Sequence, residues 1–120
     1  GDGSIQMNIQ ELATAVHNRL PIKILILNNG YLGMVRQWQE LFYNRNYCST
    51  NMEAQPDFVK LAEAYGAEGY RIRTMDELES TLSQALASPN PAIIDVHGER
   101  EENVYPMVPS GAALDEMLLV

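Results

Sequence analysis

Apolar residues recur along this chain at helical spacing in some stretches and as short unbroken runs in others, and the two patterns take turns. Residues 4–18 contain no Gly or Pro and place Ile5, Ile9, Leu12, Ala13 and Val16 at helical spacing, with Ser4 in the first turn, which predicts one continuous helix. Residues 22–27 form a β-branched apolar run whose single Lys23 marks a strand near an open end of a buried parallel sheet. Pro56 and Asp57 open a second helix with Phe58, Leu61, Ala62 and Tyr65 on one face and Gly66 at its exit. Residues 69–73 are a short strand candidate. Thr74 and Glu77 match a capping box, after which Met75, Leu78, Leu82, Ala85 and Leu86 share a face until Pro89. Residues 92–96 are a further apolar strand.

Strands alternating with helices predict an α/β fold, a mainly parallel sheet with helices on both faces, doubly wound. Residues 1–97 form its core. Residues 98–120, interrupted by Pro106, Pro109 and Gly111, read as a loop and tail of the same domain, with residues 112–120 a short helix or extended end whose apolar residues 117–120 need cover.

This pattern gives two polar clusters a common address. If a strand precedes Gly1, the first helix rises roughly 22 Å and the next strand runs roughly 20 Å back. Gly1-Asp2-Gly3-Ser4 and Asn28-Asn29-Gly30 then meet at the carboxyl edge of one sheet. Gly1 and Gly3 permit a tight turn, and the amides of Gly3, Ser4 and Ile5 at a helix start favour an anion such as phosphate. A carboxylate, an amide oxygen and a backbone carbonyl near Tyr31 are hard donors, too few to enclose a metal without phosphate or water, and they suit magnesium. Taken singly, Asp2 reads first as a helix cap and residues 28–30 as an ordinary turn. Their pairing favours the ligand reading.

Gly-Asp-Gly, twenty-four intervening residues and Asn-Asn resemble the thiamine diphosphate signature of enzymes that decarboxylate or join 2-keto acids. The run Asn28-Asn29-Gly30-Tyr31-Leu32-Gly33-Met34-Val35-Arg36-Gln37-Trp38, then Leu41-Phe42-Tyr43 and the tail Val104-Tyr105-Pro106-Met107-Val108-Pro109-Ser110-Gly111, is similar to the acetohydroxyacid synthase (acetolactate synthase) large-subunit family. With Pro56-Asp57-Phe58 and residues 61–66, the resemblance covers nearly the whole chain.

The resemblance implies that Asp2, Asn29 and the main-chain oxygen of Tyr31 bind Mg2+. It further implies that Gly3 and Ser4 hold the diphosphate of thiamine diphosphate, with Gly1, Gly33 and Met34 as further cofactor contacts. The segment after Asn29 is expected as a mobile loop over the cofactor, with Met34, Val35 and Trp38 along the substrate channel. Trp38 stands at the position associated with preference for 2-ketobutyrate and with sulfonylurea-type inhibitors. A purely structural alternative exists, because Val35, Trp38, Leu41 and Phe42 fall at helical spacing and could form one buried face. Pro109 and Ser110 are candidate lid positions.

The resemblance also implies that the activating Glu comes from the N-terminal domain of a neighbouring subunit, and that FAD is held by a domain outside these residues. The chain is therefore expected to be a fragment, lacking N-terminal strands of its sheet and inactive alone. In the full enzyme it would meet 2-keto acids, a homo-oligomeric partner and a regulatory small subunit. Two alternatives stay open: a non-catalytic diphosphate-binding module, and another thiamine diphosphate-dependent decarboxylase or carboligase.

Eight basic against 16 acidic residues give a formal net charge of -8, which argues against a nucleic-acid surface and makes metal-free diphosphate binding unfavourable. No run is apolar enough to span a membrane. The single Cys48 excludes an internal disulfide, so a cytoplasmic or stromal setting is expected rather than secretion. Arg36 and Arg45 are expected to be solvated cations, Glu99, Glu101 and Glu102 a solvated acidic loop, and His17 and His97 structural or exposed.

Overall fold

A computed structural model describes residues 1–119. The elements are α1 (Asp2–Ile5), α2 (Glu11–His17), β1 (Lys23–Asn28), α3 (Gly33–Phe42), α4 (Phe58–Tyr65), β2 (Glu68–Ile72), α5 (Met75–Ala87) and β3 (Ala92–His97), followed by a 3-10 turn at Leu114–Glu116. The strands form one parallel sheet in the order β1-β3-β2. β3 pairs with β1 from Lys23↔Ala92 to Asn28↔His97 and with β2 from Glu68↔Ala92 to Ile72↔Val96.

Both faces of the sheet carry helices, as the alternation predicts, although not along every strand. On one, Ile26 and Ile93 pack with Leu12 of α2 and with Phe58 and Ala62 of α4; on the other, Ile72, Ala92 and Ile94 pack against Ala85 of α5. Burying a side chain the size of Ile93 or Phe58 contributes about 1.5–3 kcal/mol, so these two layers hold the strands in register. β3 is buried from both sides because it is central. β1 is covered on one face only, leaving Leu25 and Leu27 exposed on the other.

The helix expected over residues 4–18 is broken. After α1 the chain continues in tighter turns, with i→i+3 bonds such as Met7 N–H to the Ser4 carbonyl and Glu11 N–H to the Asn8 carbonyl. The three-residue repeat there shifts the helical phase, so Ala15 rather than Ala13 enters the core beside Leu12. On α5, Ala85 is buried and Leu78 and Leu82 pack as expected, but Met75 and Leu86, at the two ends, are exposed. The tail is irregular, with a turn at Ser110 and Gly111 before its 3-10 turn, and an antiparallel bridge joins Met107 to Leu118; Val120, part of the expected apolar end, lies outside the described residues.

The helix signals are satisfied locally. Glu77 Oε2 accepts from the Thr74 and Arg73 amides at 3.2 and 2.7 Å, and Gly66 closes α4 at φ +84°. Lys23 Nζ donates to the Ser88 and Asn90 carbonyls at 3.0 and 2.5 Å, capping the exit of α5 from the first residue of β1. Asp57 Oδ1 accepts from the Val59 and Lys60 amides and from Arg71 Nη2 at 2.6 Å. The Arg71 hydrogen bond is the main influence holding the Asp57 carboxyl below its ordinary value of 3.8.

Asp57→Ala should destabilise the fold by about 1–2 kcal/mol at pH 7, mostly through the lost cap. Because the folded-state pKa is depressed, the contribution is complete above the unfolded value and is lost as pH falls below 3.8. Urea unfolding of both proteins as a function of pH checks this: the difference should shrink on acidification.

Candidate functional site

The carboxyl ends of the strands are tied together by Asp95. Its side chain is buried on β3, where Oδ1 accepts from Asn28 Nδ2 of β1 at 2.9 Å and Oδ2 accepts from Arg71 Nε of β2 at 3.1 Å. Asn28 Oδ1 in turn accepts from the Gly30 amide and from Gln55 Nε2. Asn28 is thus used up by the fold, and the chain turns so that the next residue, Asn29, lines a cleft. Its Oδ1 accepts from the Tyr31 amide at 3.2 Å and keeps a second lone pair.

That cleft encloses about 560 Å³ and is lined by Gly1, Asp2, Gly3, Ser4, Leu27, Asn29, Tyr31, Leu32, Gly33, Met34, Val35, Gly98 and Glu99. The two polar clusters therefore meet, despite the break in the intervening helix. Asp2 is 1% exposed, and neither of its carboxylate oxygens has a hydrogen-bond partner among the described residues. It makes no cap bond to α1. A buried, unpartnered carboxylate is costly unless something cationic answers it, which excludes the capping reading and fits a metal ligand.

No group of three His, Cys, Asp or Glu side chains that could hold a metal occurs among the described residues. A cation here would rest on one carboxylate, the Asn29 oxygen and a main-chain carbonyl, leaving coordination positions for ligand oxygens or water. That hard, incomplete set suits Mg2+. At position 3 a Cβ would lie 2.6 Å from Leu32 Cδ2, so any larger residue would have to displace that side-chain end from the cleft wall. The expected trio of free amides is reduced, because Ile5 N–H donates to the Gly1 carbonyl at 3.1 Å. The amides of Gly3 and Ser4 remain for an anion. With α1 only four residues long, their pull comes from those unpaired N–H groups rather than from a long dipole.

α3 is a helix where a mobile loop is expected, and its amphipathicity is inverted. Arg36 and Gln37 are buried, whereas Met34, Val35, Trp38 and Phe42 are exposed. Trp38 and its neighbours are therefore not the buried face of an ordinary helix. Met34, Val35, Trp38, Gln39, Tyr43, Asn46 and Cys48 line a groove of about 550 Å³, which shares Met34 and Val35 with the acidic cleft. On its other side Trp38 joins Phe42 and Tyr43 against Pro109 and Ser110 of the tail.

Arg36 is not solvated as expected. It pairs with Glu40 at 2.8 Å, donates to the Glu101 carbonyl at 2.8 Å and to Asn103 Oδ1, and only its Nε lacks a partner. Gln37 reaches the Val104 amide and carbonyl in the same way, each at 2.9 Å. The i, i+4 spacing of Arg36 and Glu40 was a visible signal; the tail partners were not. Glu99, expected as part of a solvated loop, lies at the cleft mouth with its side chain exposed. His97 and His17 are exposed, as is Cys48. No helix among the described residues is long and apolar enough to cross a membrane.

Comparison with known proteins gives this geometry a family. The model described as thiamine pyrophosphate enzyme, C-terminal TPP binding domain, matches residues 1–96. The chain belongs to the thiamine pyrophosphate enzymes. It is 51% identical over 120 residues to the acetolactate synthase large subunit of Haemophilus influenzae, covering 99% of this chain and 21% of that protein. It is 50% identical over 122 residues to the acetolactate synthase isozyme 3 large subunit of Escherichia coli, with the same coverage. Among solved structures, a thiamine diphosphate-dependent 4-hydroxybenzoylformate decarboxylase from Rhodococcus jostii RHA1 is similar at a TM-score of 0.78 and 32% identity, over 86% of this chain and 19% of that one. The chain thus spans about a fifth of the length of the relatives it matches. In this thiamine pyrophosphate-binding domain, cleft and apolar groove lie side by side at the sheet's carboxyl edge.

Neutralising the orphaned carboxylate tests the site without any ligand. Asp2→Asn should raise the stability of the metal-free protein by about 1–3 kcal/mol, measured by urea unfolding at pH 7. A loss of stability would mean that Asp2 already has a partner.

Proposed function

We propose that these residues are the C-terminal cofactor-binding part of an acetohydroxyacid (acetolactate) synthase large subunit. Such an enzyme decarboxylates pyruvate and joins the two-carbon unit to pyruvate or 2-ketobutyrate, a step of branched-chain amino acid biosynthesis. The observation that carries this reading is the buried, unanswered Asp2 carboxylate in one cleft with Asn29, Tyr31 and two free amides, beside a groove walled by Trp38.

In this reading Asp2, Asn29 Oδ1 and the Tyr31 carbonyl hold Mg2+, Gly3 and Ser4 donate their amides to the diphosphate, and Gly1, Gly33 and Met34 shape the remaining contact. The cation is needed because Asp2 and Glu99 make the cleft acidic on a chain of net charge -8. Thiamine diphosphate supplies the electron sink. The chain's own residues fix its charged end, while Met34, Val35 and Trp38 wall the approach of a 2-keto acid and exclude water from it. Residues 98–120 serve as the lid tail, with Pro109 and Ser110 against Trp38.

No catalytic acid is assigned within the chain; it comes from the N-terminal domain of a neighbouring subunit in a homo-oligomer, and FAD from a further domain. A regulatory small subunit is a partner of the assembled enzyme. A second reading, a thiamine diphosphate-dependent decarboxylase, draws support from the benzoylformate decarboxylase of Polynucleobacter necessarius, similar at a TM-score of 0.77 and 28% identity.

Calorimetric titration of the complete gene product containing these residues with thiamine diphosphate, with and without Mg2+, tests the site. Asp2→Ala and Asn29→Ala should each weaken metal-supported binding by about 1–3 kcal/mol; unchanged binding overturns the assignment. Product analysis with pyruvate and 2-ketobutyrate separates synthase from decarboxylase. Trp38→Leu should lower preference for 2-ketobutyrate by roughly tenfold.

A further inference from the structure

Tyr31 is held in a way that neither the metal nor the cofactor explains. An antiparallel bridge pairs it with Asn51: Leu32 N–H donates to the Thr50 carbonyl at 2.9 Å and Met52 N–H to the Gly30 carbonyl at 2.8 Å. Those bonds flank Tyr31 and leave its own carbonyl outside the ladder. The ring then lies under two guanidinium groups, with Arg36 Cζ 5.9 Å and Arg100 Cζ 4.9 Å from its centroid.

Two cations over one ring would repel each other unless each were separately neutralised, and here each is. Arg36, 1% exposed, pairs with Glu40, whose carboxyl is held below its ordinary range first by Asn103 and then by Arg36. Arg100 Nη1 pairs with Glu53 at 2.5 Å, and the Glu53 amide donates to Asn51 Oδ1 at 2.8 Å, in the turn that follows the bridge to Tyr31. The result is a closed loop of contacts: tail residues 100–103, Arg36 and Glu40 of α3, the Tyr31 ring, Asn51 and Glu53, and back to Arg100. Planar guanidinium groups that stack on an aromatic face while bonding a carboxylate hold direction as well as charge.

We propose that Arg36 and Arg100 are positioning residues for the metal subsite: by gripping the Tyr31 ring they restrain the residue whose carbonyl would be offered to the cation, so the tail tunes metal affinity. This rests on the reading of Asp2, Asn29 and Tyr31 as the Mg2+ donors. A backbone carbonyl cannot turn without its peptide plane, and Mg2+ tolerates little departure from octahedral geometry. The Leu32 N–H bond to the Thr50 carbonyl holds the far side of that peptide, and the grip on the ring restrains its near side at Tyr31, in the manner of groups that orient metal ligands from behind.

The test uses the complete gene product and reads Mg2+ affinity, by titrating Mg2+ at fixed thiamine diphosphate in a calorimeter, alongside thermal unfolding. Arg100→Ala, a change at an exposed side chain, should weaken Mg2+ by roughly tenfold, with Arg100→Lys recovering part of the loss. In a Tyr31→Leu background Arg100→Ala should add no further loss, because the ring that carries the effect is gone. Arg36→Gln serves as a second variant, read only where its unfolding transition stays cooperative. Asp2→Ala is the control for the underlying site. If Asp2→Ala abolishes Mg2+ dependence while Arg100→Ala lowers only the melting temperature, the clasp is overturned and the site stands. If Asp2→Ala leaves Mg2+ dependence intact, the site assignment falls and the clasp falls with it.

Discussion

Asp95 is the contact on which the arrangement depends. It is a buried carboxylate on the central strand, bonded outward to Asn28 on one neighbour and Arg71 on the other, so it cross-links all three strands at the edge where the chemistry gathers. A buried charge is tolerable only when its partners are held in place, and the two apolar layers above and below β3 provide that hold. Arg71 extends the link to Asp57 at the start of α4. The sheet's register, a helix start and the turn after β1 are thereby set by one connected group of side chains.

From that anchor the site follows by division of labour between adjacent asparagines. Asn28 faces inward and satisfies Asp95 and Gln55, which frees Asn29 to line the cleft shared with Asp2. α3 then departs with its polar face inward and its apolar face outward. Arg36 and Gln37 supply the inward bonds to the tail, which leaves Trp38 and Val35 to form a wall. An apolar stripe on a helix ordinarily reports what is buried within the same chain; on α3 it reports what the chain presents.

Much of this was legible in the residues, and the exceptions have physical causes. The strands read at 22–27 and 92–96, each within a residue of the observed bounds, the caps at Asp57 and Glu77 and the meeting of Asp2 with Asn29 follow from short-range signals: run length, cap chemistry and motif spacing. The break after α1 was not legible, because i→i+3 and i→i+4 bonding differ little in local preference and packing of Leu12 and Ala15 decides between them. Arg36 was misplaced for a related reason. Its partners Glu101 and Asn103 lie 65 and 67 residues further along, and no local pattern announces a cation whose burial is made affordable from that distance. Periodicity correctly put Trp38 and Phe42 on one helical face but could not say which way that face points.

Leu27 both lines the cleft and continues, through Leu25, the bare apolar strip on β1. Whatever comes to rest on that strip also walls off one side of the site from bulk water. Coverage there would lower the permittivity at the open side of the cleft, where Leu27 stands, and so strengthen the attraction between a cation and its donors without any new ligand being added.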